Sequence, residues 1–212
     1  QTLLPGIADL VLDGPSIRRE FVDWGLFHVE HQYLDLTRRY RKALTQRAAW
    51  LRGAQGLSFD EDPWARDIAK NGVQINMRRR HFVDSLNERI YSVIEALDAQ
   101  LEVKLAYQGA NIAVDEAALA AQMADSYERD CRQGITHTGP HRNDIDILVT
   151  GARARNVVSR GQAKLIASAI TLAYCAELRH RSDILPILLL DDFGAELDGV
   201  HRERFFQELE RI

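Results

Sequence analysis

The chain has 212 residues, of which 46% are hydrophobic and 27% are charged, a balance ordinary for a globular protein. This composition argues against wholesale disorder. The longest apolar run, residues 184–190, is far shorter than the roughly 20 residues that span a bilayer, and no signal peptide is visible at the amino end. Cys131 and Cys175 lack metal-ligand spacing, which fits a reduced compartment. We therefore expect a cytoplasmic protein rather than a membrane or secreted one.

The formal net charge of −4 argues weakly against a nucleic-acid-binding protein, but the charges are unevenly distributed. Residues 15–90 hold 14 Lys and Arg against 10 Asp and Glu, whereas residues 91–212 hold 13 against 19. The basic excess, mostly arginine, therefore lies in the first half, where it permits contacts with phosphate without requiring them.

The first half of the chain is predicted to be mainly helical. After a turn at Asp13-Gly14-Pro15, Ser16 can cap a helix that has apolar residues at helical spacing. A second helix is predicted at about 31–52, and a long third helix follows Asp62-Pro63. A glycine-bearing break at 53–59 separates the two long helices, which together predict a helical hairpin or arm.

The second half has the hydrophobic pattern of a mixed α/β fold. Alternating side chains at 101–107 predict a half-buried strand, and the apolar run at 186–190 predicts a strand buried on both faces. The other predicted elements are a helix at about 115–133, a hairpin of 145–149 and 153–158 around Thr150-Gly151, a helix at about 161–181 and a last helix capped by Asp198.

The strand predicted at 186–190 ends in two acids, Asp191 and Asp192. Carboxylates at the carboxyl edge of a sheet lie where α/β proteins bind ligands, and in P-loop ATPases an acid here helps to hold Mg²⁺, a cation that prefers oxygen ligands. A second acid can act as a general base on the attacking water. Taken alone, the pair favours an ordinary acidic turn or cap, but the following Glu196-Leu197-Asp198 makes the pattern much narrower.

Ser159-Arg160-Gly161-Gln162 stands directly before an apolar helix. A serine and a glycine at a helix N-terminus expose backbone N–H groups and the positive end of the helix dipole, a combination that binds phosphate. Alone, this segment favours an ordinary serine cap. Its position decides the interpretation, because this segment, one helix, a strand ending in acids and Glu196-Leu197-Asp198 follow the order of the signature, Walker B motif and D-loop of ABC-type ATPases.

At these residues the chain resembles the RecF family. The resemblance is carried by residues 18–24 with 27–30, by Gly139-Pro140-His141-Arg142-Asn143-Asp144, by 159–165 and by 189–198, and it covers nearly the whole chain. It implies an α/β fold, the ABC-type ATPase head, with an inserted helical arm. It also implies a division into the end of an N-terminal ATPase lobe at 1–14, the arm at 15–97, and the head with its signature, Walker B and D-loop at 98–212.

The resemblance implies that two heads dimerise with ATP and Mg²⁺ between them, so that the signature of one copy faces the γ-phosphate held by the other. The site residues that it assigns are Ser159, Arg160, Gly161 and Gln162 in the signature, Asp191 at Mg²⁺, Asp192 at the hydrolytic water, and Glu196 and Asp198 in the D-loop.

By the same resemblance, the protein acts in bacterial DNA replication and repair after DNA damage. It would bind duplex DNA and single-strand/double-strand junctions, and it would promote RecA loading with RecO and RecR. No Gly-x-x-x-x-Gly-Lys-Ser/Thr motif occurs in the sequence. We therefore interpret the chain as a fragment without the N-terminal P-loop and the extreme C-terminus. We expect weak DNA-stimulated ATPase activity from the complete protein and none from this chain alone.

Several alternatives stay open. The chain is also compatible with an SMC-like head, which would carry longer arms than 15–97, or with a non-catalytic helical interaction module whose acids are only caps. The basic runs at 38–42 and 78–80 fit phosphate contacts and solvated helix faces equally well. For His141 and Arg142 we favour a structural role, with bonds to nearby backbone.

Overall fold

A computed structural model of the chain describes residues 2–3, 5–54, 56–109, 112–182, 186–190 and 197–212, with side chains from residue 7 onward. The chain forms two compact units. Unit 1 comprises residues 1–29, 81–107 and 144–212, and unit 2 comprises residues 30–80 and 108–143. The predicted arm at 15–97 supplies segments to both units, and the predicted division at 14/15 and 97/98 stays a prediction.

In chain order the described elements are β1 (Thr2–Leu3), a 3₁₀ turn (Pro5–Ala8), α1 (Asp9–Leu12), α2 (Pro15–Val29), α3 (Tyr33–Leu51), a second 3₁₀ turn (Phe59–Glu61), α4 (Ala65–Leu97), β2 (Val103–Gln108), α5 (Glu116–Asp125), α6 (Tyr127–Gln133), β3 (Asp144–Val149), β4 (Ala152–Arg153), α7 (Ala154–Val157), α8 (Arg160–Arg181), β5 (Leu189–Leu190) and α9 (Gly199–Arg211). Within the described ranges, no helix is both long and apolar enough to cross a membrane.

The strands form two small sheets. β1 and β5 pair in parallel, with Thr2 opposite Leu189 and Leu3 opposite Leu190. β2, β3 and β4 form the other sheet in that order, and β3 and β4 are antiparallel. The hairpin between them turns at Thr150-Gly151, where φ is 48° and 79°, the left-handed conformation that tight hairpin turns require. The fold is thus mixed α/β, as the sequence predicts.

Most of the predicted elements are confirmed. The helices predicted at 31–52 and 161–181 are α3 and α8, and the strand predicted at 101–107 is β2. The helix predicted at 115–133 is divided at Ser126 into α5 and α6. The Ser126 hydroxyl donates to the carbonyl of the preceding turn, a bond that competes with regular helix geometry.

Two predictions about strands are wrong. The hairpin's second strand is only β4, because the chain then enters α7, where Ala154 is buried and its carbonyl accepts a hydrogen bond from the Val158 N–H. The run at 186–190 is not buried on both faces in the described chain: Ile187 is 75% exposed and Leu189 is 58% exposed. Among the described residues, β5 pairs only with the two residues of β1.

Helix α8 organises the core of unit 1. Every residue from 163 to 175 in this helix is buried, and α8 contacts the first 3₁₀ turn, α1, α2 and α9. A helix surrounded in this way needs mostly apolar or small side chains, which its alanine-rich sequence supplies, although Lys164 is buried among them. The ring of Tyr174 lies 4.9 Å from that of Phe21 and 6.1 Å from that of Phe82. The interior of α8 is therefore firmly anchored.

Two polar contacts attach other elements of unit 1 to its sheet. The Arg18 guanidinium donates from Nε and Nη2 to the two Asp144 carboxylate oxygens, at 3.0 and 2.8 Å. Burial alone would raise the pKa of Asp144, but the bonds from Arg18 hold it below its ordinary value. On α4, the Asn87 amide both accepts from the Leu105 N–H and donates to the Leu105 carbonyl, so it pairs with β2 as a neighbouring strand would.

A buried arginine organises unit 2. Arg47 on α3 is 0% exposed; its Nε lies 2.6 Å from Asp62, and its Nη1 lies 2.7 Å from Asp130 and 2.8 Å from the Thr136 hydroxyl. A buried charge is tolerated only when it is paired and hydrogen-bonded. Removing one partner from such a cluster costs about 3–5 kcal/mol, so this network specifies how α3 meets α6 and the segments around it.

The Gly-Pro-His-Arg segment is also part of the framework of unit 2. The Thr136 carbonyl accepts from His141 Nε2 at 2.9 Å and from Arg142 Nε and Nη2 at 3.2 and 3.1 Å. Because His141 Nε2 carries a hydrogen, the neutral ring's Nδ1 accepts from the Tyr40 hydroxyl at 2.8 Å. Gly139 has φ 129°, and a Cβ there would lie 2.5 Å from the same hydroxyl. The predicted bonds from His141 and Arg142 to nearby backbone are confirmed.

The close packing of α2 in unit 1 can be tested at Gly25. A Cβ at this position would lie 2.5 Å from ring atoms of both Phe82 and Tyr174. Gly25→Ala gains about 1 kcal/mol of helix propensity but loses about 1–3 kcal/mol to overpacking, so we expect a net loss of stability. Thermal unfolding measures it. Gly14→Ala is the matched control, because nothing lies within 4 Å of its added Cβ. If Gly25→Ala unfolds at the same temperature as Gly14→Ala, this account of the packing is wrong.

Candidate functional site at the start of α8

The structure describes five of the eight predicted site residues. Ser159, Arg160, Gly161 and Gln162 lie together at the start of α8, and Asp198 lies at the start of α9. The remaining three, Asp191, Asp192 and Glu196, lie outside the described residues, so their nearness to the start of α8 stays a prediction. Within the described ranges, no group of three or more His, Cys, Asp or Glu side chains could hold a metal ion.

Reciprocal hydrogen bonds begin α8. Ser159 has extended backbone, and its Oγ accepts from the Gln162 backbone N–H at 3.2 Å. The Gln162 Oε1 in turn accepts from the Ser159 backbone N–H at 2.9 Å. This is a capping box, in which two N–H groups at a helix start are satisfied by side chains. The Ser-x-x-Gln spacing in the sequence is a signal for such a box, beyond the serine cap that the sequence predicts.

The capping box determines which atoms of the two side chains remain available. A serine hydroxyl that accepts a hydrogen bond still has its own O–H to donate. The Gln162 Oε1 is oriented toward a backbone donor, so its Nε2, with two N–H groups, is left to donate elsewhere. Both side chains are exposed. The start of α8 therefore presents preoriented donors, which suit an acceptor-only group such as a phosphate.

The chain on both sides of the start of α8 carries arginines and no acid. No acidic residue occurs between Asp146 and Glu177, whereas exposed Arg155 and Arg160 lie before and within the first turn of the helix. The helix dipole adds a partial positive charge at the same end. Gly161 is only partly buried. These charges and donors stand on a helix whose next 13 residues, 163–175, are buried, so their positions are fixed by the core of unit 1.

Asp198 caps α9 in the way that Ser159 caps α8. Its Oδ1 accepts from the His201 backbone N–H at 3.0 Å, and its Oδ2 lies 2.7 Å from the His201 Nδ1. The pKa of Asp198 is lowered below its ordinary value, first by the backbone N–H of His201 and then by its side chain. The ionised carboxylate thus caps α9 while its side chain stays 63% exposed, and its assignment to the D-loop stays a prediction.

Comparison with curated proteins gives relatives along nearly the whole chain. The chain is 37% identical over 208 residues to the DNA replication and repair protein RecF of Stenotrophomonas maltophilia (strain R551-3), covering 98% of this chain and 57% of that protein. It is 33% identical over 211 residues to RecF of Shewanella denitrificans, covering 99% and 57%. The chain thus spans a little over half the length of these relatives. No model of a protein family matches it.

Solved structures share the fold. One is the structure of the recombination mediator protein RecF with ATP, from the RecFOR pathway. It matches with a TM-score of 0.87 at 23% identity, and the match covers 99% of this chain and 58% of the RecF chain. A structure described as RecF-ATPrS matches with a TM-score of 0.86, covering 96% and 58%. These matches show the ABC-type ATPase fold. Together with the sequence relatives, they show that nearly the whole chain is similar to a part of RecF.

Proposed function

We propose that this chain is part of an ATP-dependent DNA-binding protein of DNA replication and recombinational repair, in which two copies join when ATP is bound. The observation that carries the proposal is the exposed capping box at the start of the buried helix α8. The ABC-type fold and the relatives described as DNA replication and repair proteins support it.

In this proposal the start of α8 binds phosphate held by the second copy. Ser159 donates its O–H and Gln162 its amide N–H groups, while Gly161, which has no side chain, leaves open those first-turn backbone N–H groups that the capping box does not use. Arg160 adds a positive charge at the same interface. Bound ATP supplies the γ-phosphate between the two copies, and its hydrolysis removes that phosphate. These donors fit the γ-phosphate, since the oxygens of a deprotonated phosphate only accept hydrogen bonds.

The acids after β5 complete the proposed site. Asp191 helps to hold Mg²⁺ through an oxygen ligand, and Asp192 takes a proton from the attacking water. Glu196 and Asp198 form the D-loop. Because no Gly-x-x-x-x-Gly-Lys-Ser/Thr motif occurs in the 212 residues, we assign weak DNA-stimulated ATP hydrolysis to the complete protein rather than to this chain alone.

The proposed partners are nucleic acid and repair proteins. We propose binding to duplex DNA and single-strand/double-strand junctions, and promotion of RecA loading with RecO and RecR in the bacterial cytoplasm. The neighbouring structures described in the RecFOR pathway support RecO and RecR. We also propose that residues 15–97 form the arm, and that 1–14 and 98–212 belong to the head.

Gln162→Glu tests the donor role separately from the cap. A glutamate still accepts from the Ser159 N–H and keeps the capping box, but it has no N–H to donate and it repels phosphate. Loss of the amide donor costs about 1 kcal/mol or more of binding free energy at each of the two sites in a dimer. We therefore expect ATP-dependent dimerisation of the complete protein to weaken about thirtyfold or more. Nucleotide binding by the monomer and thermal stability should be unchanged.

Sedimentation with and without ATP measures this dimerisation. The matched control is Gln207→Glu, the same change of charge at an exposed position of α9, and it should dimerise like the unaltered protein. Undiminished ATP-dependent dimerisation of the Gln162→Glu variant would rule out the proposed role of Gln162.

Asp192→Asn tests the proposed general base. We expect the complete protein to keep nucleotide binding and ATP-dependent dimerisation but to lose hydrolysis by about 100-fold to 10,000-fold, the usual contribution of such a base. Phosphate release measures turnover. Asp115→Asn is the matched control, because Asp115 caps α5 in unit 2 and asparagine caps equally well. Normal turnover of Asp192→Asn would show that another group activates the water.

A further inference from the structure

Exposed cations form a stripe along α3 in unit 2. Arg38, Lys42, Thr45, Ala49 and Arg52 follow one another at steps of four, three, four and three residues, the spacing that places side chains on one face of a helix, and all five are exposed. Arg52 is the C-cap of α3 and still has helical backbone angles. We call the three cations of this stripe, Arg38, Lys42 and Arg52, the α3 basic face.

Acidic residues are absent from most of the sequence that carries the α3 basic face. Residues 36–59 contain six Arg and Lys and no Asp or Glu. The nearest acid in the sequence, Asp35, lies 3.9 Å from Arg38, and both side chains are more than two-thirds exposed. An ion pair this exposed contributes about 0–1 kcal/mol, so it leaves Arg38 able to exchange Asp35 for another anion.

The second basic run of the sequence is different. Arg78 Nε donates to Glu30 at 2.8 Å, and Arg79 is buried with its Nη1 2.6 Å from the Pro140 carbonyl. Arg47, although it lies on α3, is enclosed by two acids. These three arginines hold unit 2 together. The run at 38–42 has four exposed cations, whereas in the run at 78–80 only Arg80 is exposed, so the first run presents more positive charge to an external anion.

The stripe has the dimensions and side chains for a nucleic-acid backbone. From Arg38 to Arg52 it is about 21 Å long at 1.5 Å per residue. A DNA duplex presents about 12 phosphate charges along that length. The small Thr45 and Ala49 between the cations permit close approach. No aromatic side chain stands in the stripe, so it lacks the stacking platform typical of single-strand binding.

We propose that the α3 basic face binds the phosphate backbone of duplex DNA without reading its bases. The inference deepens the proposed function and rests on it, because it assigns a surface to the DNA binding proposed for the complete protein. Cations that contact only phosphate fix position and supply affinity, whereas sequence is read through the base edges.

The test uses the complete protein with Arg38→Gln, Lys42→Gln and Arg52→Gln combined. Glutamine keeps helix propensity close to that of the residues it replaces, so α3 should remain folded. Each lost phosphate contact lowers the slope of log K against log salt by about 0.9, so we expect a fall of up to about 2.7 and a roughly tenfold or greater loss of duplex affinity at low salt. The loss should be equal for duplexes of unrelated sequence.

Two further variants make the result specific. Arg66→Gln, Lys70→Gln and Arg132→Gln remove the same charge from exposed positions on α4 and α6, and should keep most of the affinity and slope. Arg38→Lys with Arg52→Lys retains the charge and should bind like the unaltered protein.

The failures can be told apart. If the unaltered protein binds duplex DNA and the α3 variant retains its affinity and salt slope, or if the α4 and α6 control loses as much, the α3 assignment is overturned and the proposed function stands. If the unaltered protein binds no duplex even at low salt, both are overturned. ATP-dependent dimerisation of the α3 variant should equal that of the unaltered protein.

Discussion

Two hydrogen bonds, between Ser159 and Gln162, determine what the start of α8 can offer to a ligand. Each contributes only about 1 kcal/mol to stability, so they do not hold the helix in place. The buried residues 163–175 do that. The core of unit 1 thus holds the helix rigidly, and the capping box fixes the orientation of the Gln162 amide. The exposed serine O–H and glutamine N–H groups remain to donate to a ligand. Preorientation of this kind lowers the cost of ordering side chains when a ligand binds.

Unit 2 uses its cations in two ways. Arg47 and Arg79 are buried against carboxylates or a carbonyl and specify how the helices meet. Arg38, Lys42 and Arg52 are exposed on α3. This division reconciles a net charge of −4 with the proposed binding of DNA, since affinity depends on where the accessible charge lies rather than on its sum.

The sequence predicted the elements that have a clear hydrophobic period, such as α3 and α8, and the order of its motifs located the signature segment. It could not predict the burial of Arg47, because the partner Asp130 is 83 residues away and a run of arginines looks alike whether its partners are acids or water. Nor could it predict the exposure of Ile187, since an apolar run does not reveal which elements pack against its side chains. The Ser-x-x-Gln spacing is present in the sequence, but only the folded structure shows that the Gln162 Oε1 accepts from the Ser159 N–H. The roles of Asp191 and Asp192 still rest on sequence.

The most direct measurement of a site shared between two copies is ATP turnover in a mixture of two impaired variants of the complete protein, Gln162→Glu and Asp192→Asn. In a mixed dimer, one site combines an intact Asp192 with an intact Gln162, and the other site carries both changes. At protein concentrations that saturate dimerisation of both variants, half of the dimers in an equal mixture are mixed, so we expect recovery of up to about a quarter of normal turnover. If no mixing ratio restores turnover, the two residues do not serve one site across two copies.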